Sequence, residues 1–264
     1  MERSIRDRDM EAVKEKQWQG VSGSTLKLLA IVTMLIDHIA ATVLARMLQA
    51  EADYELYTVY YAMRQIGRIA FPIYCFMLVE GLKYTHNRWR YAARLGIFAL
   101  LSEIPFDLAF SSEVLEFGYQ NVFFTLTIGL VTLIVIEEIA KRQCGPDNKG
   151  LPTAAGLALT VLASAAGMGL AALLQTDYGW RGVACILILY FFRGRRGLAL
   201  VMGYVAFVLF LGEIAALPAF LVLALYRGKK GFSCKYFFYG FYPLHLLLLY
   251  LTCVLMGIAG YSAI

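Results

Sequence analysis

The chain has 264 residues, of which 60% are hydrophobic and 16% charged, with a mean hydropathy of +0.64 and a formal net charge of +5. A soluble globular domain is nearer half apolar and about a quarter charged, so a water-soluble fold is excluded. The positive balance does not point to nucleic acid, because basic residues in a membrane protein mostly set its orientation.

Apolar runs of about 20 residues recur along the chain, the length a ~30 Å hydrocarbon core requires. Residues 1–23 come first. They open on "MERSIRDRDMEAVKEKQWQG", which is charged throughout and has no apolar core, so no cleavable signal is read there. The reading is a cytoplasmic tail, with a short surface helix around Trp18. Residues 24–264 read as one all-α, polytopic helical membrane domain. Nine spans are expected, with ten as the upper count, over roughly 26–48, 66–83, 91–110, 121–140, 151–174, 179–192, 198–212, 214–226 and 236–257. No soluble domain, internal repeat or low-complexity tract interrupts them. Five scattered cysteines lack CxxC spacing, so neither a metal cluster nor a disulfide framework is expected.

The connecting segments alternate in charge. Basic residues gather in the tail, at 83–94, at 141–149, at 193–196 and at 227–235, whereas "QAEADYELYTVYYAM", "SSEVLEFGYQ", "QTDYGW" and "GEIA" carry none. Nineteen of the 24 Lys and Arg residues fall on one side of this alternation. The positive-inside rule then sets a cytoplasmic-membrane protein with its N-terminus inside and its C-terminus outside. Residues 197–226 are the weak stretch. A short hairpin turning near Glu213 and Pro218 keeps the charge pattern; a single long helix would break it.

Ionisable residues inside spans are costly and mark cavities or partners. Span 1 carries Asp37 and His38 near its middle. Lys27 lies eleven residues earlier, on the same helical face as His38 and about 16 Å away along the axis. A cation at the inner surface and a base at mid-depth suit a substrate with an anionic head and a reactive end. His245, with Tyr242 one turn before it, falls at mid-depth of the last span and is a candidate to face His38. Arg64 and Arg68 of span 2, and Glu103 and Asp107 of span 3, lie toward the outer side and are expected to pair. Pro105 is expected to kink span 3. Asp177, Trp180 and Arg181 line the outer side around the start of span 6, read either as acceptor contacts or as a loop ion pair. Each has a plainer reading: Lys27 as a topology anchor, the acids and arginines as a structural ion network, His245 as packing, Asp37 as an orienter of His38 or a partner for a neighbouring helix.

The segments "LKLLAIVTMLIDHIA", "RQIGRIAFPIYCFMLVEGLKYT", "RLGIFALLSEIPFDLAF", "NVFFTLTIGL", "DYGWRGVACIL" and "KYFFYGFYPLHLL" together resemble the TraX family, over about residues 24 to 250. The namesake of that family acetylates a pilin N-terminus, and the family is similar to the wider group of transmembrane acyltransferases. Many of those open the first core helix with a basic residue, ten intervening residues and a histidine, the spacing of Lys27 and His38. The resemblance implies a bacterial inner-membrane acetyltransferase. It would carry acetyl from cytoplasmic acetyl-CoA to an amine or hydroxyl of an outer-face acceptor, a pilin-like peptide or a glycan. Under that implication His38 is the base and Asp37 its tuner. Tyr242, His245 or Arg68 would supply oxyanion donors. Lys27, then Arg88, Arg90 and Arg94, would face the CoA phosphates, with no metal needed. The residues alone leave two other readings: a proton-coupled transporter or channel with Asp37, His38 and Glu103 as a relay, and a non-catalytic assembly protein.

Overall fold

A computed structural model of the protein describes residues 20–143, 152–232 and 235–260. The tail through residue 19 with Trp18, and Cys144, Lys149 and Cys234, lie outside the described residues. The architecture is all-helical. Beyond its helices there are only two isolated bridges among the described residues, Val21 with Tyr226 and Gln120 with Thr176. The helices are α1 Gly23–Ala50, α2 Tyr54–Tyr84, α3 Arg88–Ser111, α4 Val122–Gln143, α5 Thr153–Leu173, α6 Gly179–Phe191, α7 Arg196–Leu211, α8 Leu217–Ala224 and α9 Lys235–Leu255. A helix falls on each of the nine apolar stretches read from the sequence. Five are long and apolar enough to cross a membrane: α1, α2, α4, α5 and, over Tyr236–Leu255, α9. Helices α6, α7 and α8 are shorter, and α3 carries three arginines and two acids, so their length and composition do not by themselves make them crossings.

Local chemistry sets the boundaries. Ser22 caps α1 by accepting from the Thr25 amide, Asp53 caps α2 by accepting from Glu55, and Asn87 caps α3 by accepting from Arg90. The Asp53 cap corrects the sequence reading, in which residues 49–63 are an outer loop. No glycine or proline interrupts Tyr54–Ile66, so the helix starts at the cap, and the exposed tyrosines lie in its N-terminal half. At Gly67–Ile69 this helix tightens: the Arg68 and Ile69 amides donate three residues back, to Gln65 and Ile66. Helix α3 runs unbroken through Pro105. Residues 197–226 form the hairpin. Gly212 ends α7 in the left-handed region (φ +70°), a short 3₁₀ turn follows over Ile214–Ala216, and Pro218 sits in the first turn of α8.

The ends of the helices sort into two groups. Gly23 and Ser24 amides donate to the Lys229 and Lys230 carbonyls, and Glu137 takes ion pairs from Arg88 (2.6 Å) and Arg193 (3.6 Å). At the opposite end Gln120 exchanges backbone bonds with Gln175 and Asp177, Arg68 pairs with Glu213, and Ser112 donates to the Ala259 carbonyl. These contacts join segments that the charge alternation assigns to one side. Between the two ends, α1 packs against α2 and α9, α3 against α4 and α9, and α6 against α4, α5, α7 and the second half of α2. The core is apolar side chains such as Ile73, Leu82, Leu130, Leu133, Ile186 and Phe207. Helix α5 buries only small residues, Gly156, Gly167 and Ala171, and its Leu157, Val161, Leu162, Leu170 and Leu173 are exposed.

Candidate functional site

A cavity of about 260 Å³ lies toward the end of the bundle where Asp177 and Glu213 come together, between α1, α2, α3, α9 and the segments preceding α4, α6 and α8. Its walls are unusually charged for a bundle interior. Asp37 and Arg64 form one ion pair (2.8 Å); Arg68 and Glu213 form another (3.1 Å). Tyr119 donates to Asp177 (2.8 Å), and Tyr178 stacks on Phe71. His38 reaches the cavity from α1, beside Met34, Phe110 and Tyr242.

Each charged side chain is positioned by a local device. Gly67 allows α2 to press against α1: a Cβ at that position would overlap the Asp37 carboxylate. The tightened turn after Gly67 aims Arg68 toward the α7–α8 hairpin, where Glu213 follows the left-handed Gly212. Asp177 follows the bridge between Gln120 and Thr176, and its carbonyl accepts from the Thr125 hydroxyl. One oxygen of Asp37 and one of Glu213 are buried without a hydrogen-bond partner among the described residues. Burial raises the carboxyl pKa of Glu213 to about 7, opposed by the neighbouring Arg68, and that of Asp177 to about 6, opposed by the Tyr119 hydroxyl.

The histidines are directly joined. His38 Nδ1 lies 2.7 Å from His245 Nε2, and His245 Nδ1 lies 2.7 Å from the Phe241 carbonyl oxygen. The rings are within 3° of parallel with centres 5.0 Å apart. Nitrogens so much closer than ring centres mean an edge-to-edge bond in one plane, not stacked faces. A carbonyl only accepts, so His245 Nδ1 carries a proton. In the neutral ring His245 Nε2 then accepts, and His38 Nδ1 must donate. His38 Nε2 is left as a lone pair, with no hydrogen-bond partner among the described residues.

Several expectations are met and others corrected. His245 faces His38, Tyr242 lines the same cavity, and Arg64, Arg68 and Asp177 all reach it. Asp37 does not orient His38; it binds Arg64, because neighbours on a helix do not face one another. The expected pairing of Arg64 and Arg68 with Glu103 and Asp107 does not occur. Glu103 accepts from Asn121, and Asp107 accepts from the Glu116 amide. Helix α3 packs on α4 and α9, whereas the α2 arginines turn toward α1 and the hairpin. Arg181 lies over Trp180 outside the cavity. Lys27 is not in the cavity wall either; its ammonium sits 5.5 Å from the Phe238 ring centre on α9. Arg88, Arg90 and Arg94 belong to the opposite end of α3. There a second, more open cavity of about 400 Å³ is lined by His86, Arg88, Trp89 and Lys141 among others. Tyr119, Tyr178 and Gly67 have no role assigned from the sequence, and Glu213 figures there only at a turn. Glu213, a lone acid between two apolar helices, was the available signal.

Helices of membrane-spanning length folded around a charged cavity, with His38 in its wall and His245 behind it, define a helical membrane protein with an internal polar site. A family profile described as TraX protein matches residues 22–253. The chain belongs to the TraX family. It is similar to "Probable fimbrial assembly protein FimC, serogroup H1" of Dichelobacter nodosus, with 30% identity over 256 residues covering 86% of this chain and 94% of that protein. No solved structure matches the chain.

Proposed function

We propose that the protein is an acetyl-CoA-dependent acetyltransferase of the bacterial cytoplasmic membrane. Its nine helices cross with the N-terminus inside and the C-terminus outside, and the acceptor is an amine or hydroxyl on the outer face. The observation that carries the reading is the free Nε2 of His38 at the floor of a charged cavity. An imidazole with one nitrogen tied back and the other turned to a cavity is the arrangement of a general base. The segments around the cavity, those with Asp177 and Glu213, are the ones the charge alternation puts outside. Membership of the TraX family, and a relative named for fimbrial assembly, agree with a substrate handled on that face.

Acetyl-CoA supplies an acyl group already activated as a thioester. The residues of this chain then have three tasks. His38 Nε2 takes the proton of the attacking amine or hydroxyl and returns it to the departing thiolate. Arg68 and Tyr242 are the donors nearest in kind to an oxyanion site. The charged walls fix the acceptor. Ligand sites commonly hold about 300–1,000 Å³, so a cavity of about 260 Å³ accommodates the acetyl end and the acceptor's reacting group, not the nucleotide. Lys27, and Arg88 with Lys141 at the second cavity, are the cations offered to the CoA phosphates.

The test is transfer of label from acetyl-CoA to acceptors in a cell-envelope extract by the purified protein. Wild type is expected to label an acceptor, and His38→Ala to lose at least about a hundredfold, the lower bound for a general base. Acetyl-CoA at 100 times its Kd should also stabilise the folded protein by about 2.7 kcal/mol. A proton-coupled transporter would show neither response.

A further inference from the structure

The strongest unassigned feature is the way His38 is held. The usual partner that fixes a base histidine's tautomer is a buried carboxylate. Here the adjacent carboxylate, Asp37, is committed to Arg64, and the group on His38 Nδ1 is a second imidazole. That imidazole is itself fixed, because His245 Nδ1 donates to the Phe241 carbonyl one turn earlier on α9. Phe241 also stacks on the His245 ring, with centres 4.7 Å apart and planes 14° from parallel. Tyr242 closes the edges of both rings, at 5.9 Å from His38 and 5.7 Å from His245. His245 is 4% exposed and does not line the cavity, so it touches His38 and not the acceptor.

We infer that His245 is a positioning residue: it holds His38 as the Nδ1–H tautomer, in a neutral chain running from the Phe241 carbonyl through both rings to the cavity. The inference rests on the acetyltransferase reading for its consequence in turnover, but the tautomer itself does not. The chain carries no net charge in its resting form, which suits a site inside a bundle where an unpaired carboxylate would be costly. When His38 Nε2 takes a proton, the imidazolium keeps its Nδ1–H bond to His245 Nε2, so no bond of the chain has to break.

The protein has only three histidines, His38, His86 and His245, so ¹⁵N-histidine labelling of the full chain gives three resolvable rings. Wild-type His38 is expected to show a protonated Nδ1 and a bare Nε2. In His245→Phe the Nδ1 acceptor is gone, and the His38 ring is expected to lose its fixed tautomer. Turnover should then fall about 10²–10⁴-fold in kcat with the KM for acceptor little changed, the size of a general-base contribution. His245→Gln, whose amide oxygen can accept from His38 Nδ1, should recover the tautomer and much of kcat; a residue with only a packing role would be rescued by phenylalanine rather than glutamine. A wild-type His38 found protonated at Nε2, or a folded His245→Phe variant with unchanged His38 signals, overturns the assignment. Should the wild type transfer no acetyl group at all, the function fails while the ring signals still decide the tautomer.

Discussion

His38 and Asp37 are adjacent in sequence and separate in function. One step along a helix turns the side chain by about 100°, so the two groups address different partners: His38 turns to α9, Asp37 to α2. Asp37, His38 and His245 are legible in the sequence because ionisable side chains stand out in apolar runs. The pairings are hidden there, since those depend on which helices become neighbours. Gly67 is where this matters most. In Gly67→Ala the new methyl has no room beside Asp37, and a loss of about 1–3 kcal/mol is expected from overpacking, read as the midpoint of thermal unfolding in detergent. Arg64→Met removes the partner of a largely buried carboxylate and should cost about 1.5–3 kcal/mol by the same measurement, less of it in an Asp37→Asn background. Glu213 gives a pH dependence. Its folded-state pKa of about 7 lies above the ordinary 4.5, so the folded chain holds that proton more tightly than the unfolded one. Its contribution to stability is therefore full below about pH 4.5 and is lost as the pH rises through 7. Thermal midpoints measured from pH 4.5 to 8 should decline less steeply in Glu213→Gln than in wild type.

At the scale of the element, α1 holds a feature that no periodicity foretold. Its ladder widens to a π turn over Ala40–Leu44, immediately after His38, and the Thr42 hydroxyl donates to the His38 carbonyl (2.6 Å). Such one-turn insertions concentrate at functional sites. Beyond the turn lies Arg46, fully buried, donating to the Ala109 carbonyl (2.7 Å) and to the Ser112 hydroxyl (2.9 Å) at the end of α3. The widened turn lets one helix direct His38 to α9 and Arg46 to the end of α3. An apolar run hides a local change of hydrogen-bond register, because every residue through it remains compatible with a plain α-helix. Arg46→Met should leave the α3 carbonyls unsatisfied, at about 1–3 kcal/mol for a buried acceptor without a donor, seen again as a lower thermal midpoint. Helix α2 teaches the converse lesson. Tyrosines and acids before Gly67 look like a loop by polarity, yet an aspartate cap and an uninterrupted run suffice for a helix.

The whole molecule shows why charge alternation was the most informative part of the sequence. Segments assigned to one side by their lysines and arginines are those that touch: 20–24 with 225–230, and 68 with 213. The hairpin of α7 and α8 follows from the same logic, since only a turn at Gly212 returns Tyr226 to Val21. The sidedness itself is testable with single cysteines placed in an otherwise cysteine-free chain. A thiol at Glu116 is expected to react with a membrane-impermeant maleimide in intact cells, and one at Lys229 only after the membrane is opened; the reverse pattern would invert the protein.

Helix α9 is the last of the nine to leave the ribosome, and it alone brings His245 and the Phe241 carbonyl to α1. A chain that stops before Lys235 has the residues of the Asp37–Arg64 and Arg68–Glu213 pairs but lacks the acceptor that takes the His38 Nδ1 proton. On the proposed reading of His38 as the base, transfer would require α9 to be in place beside α1.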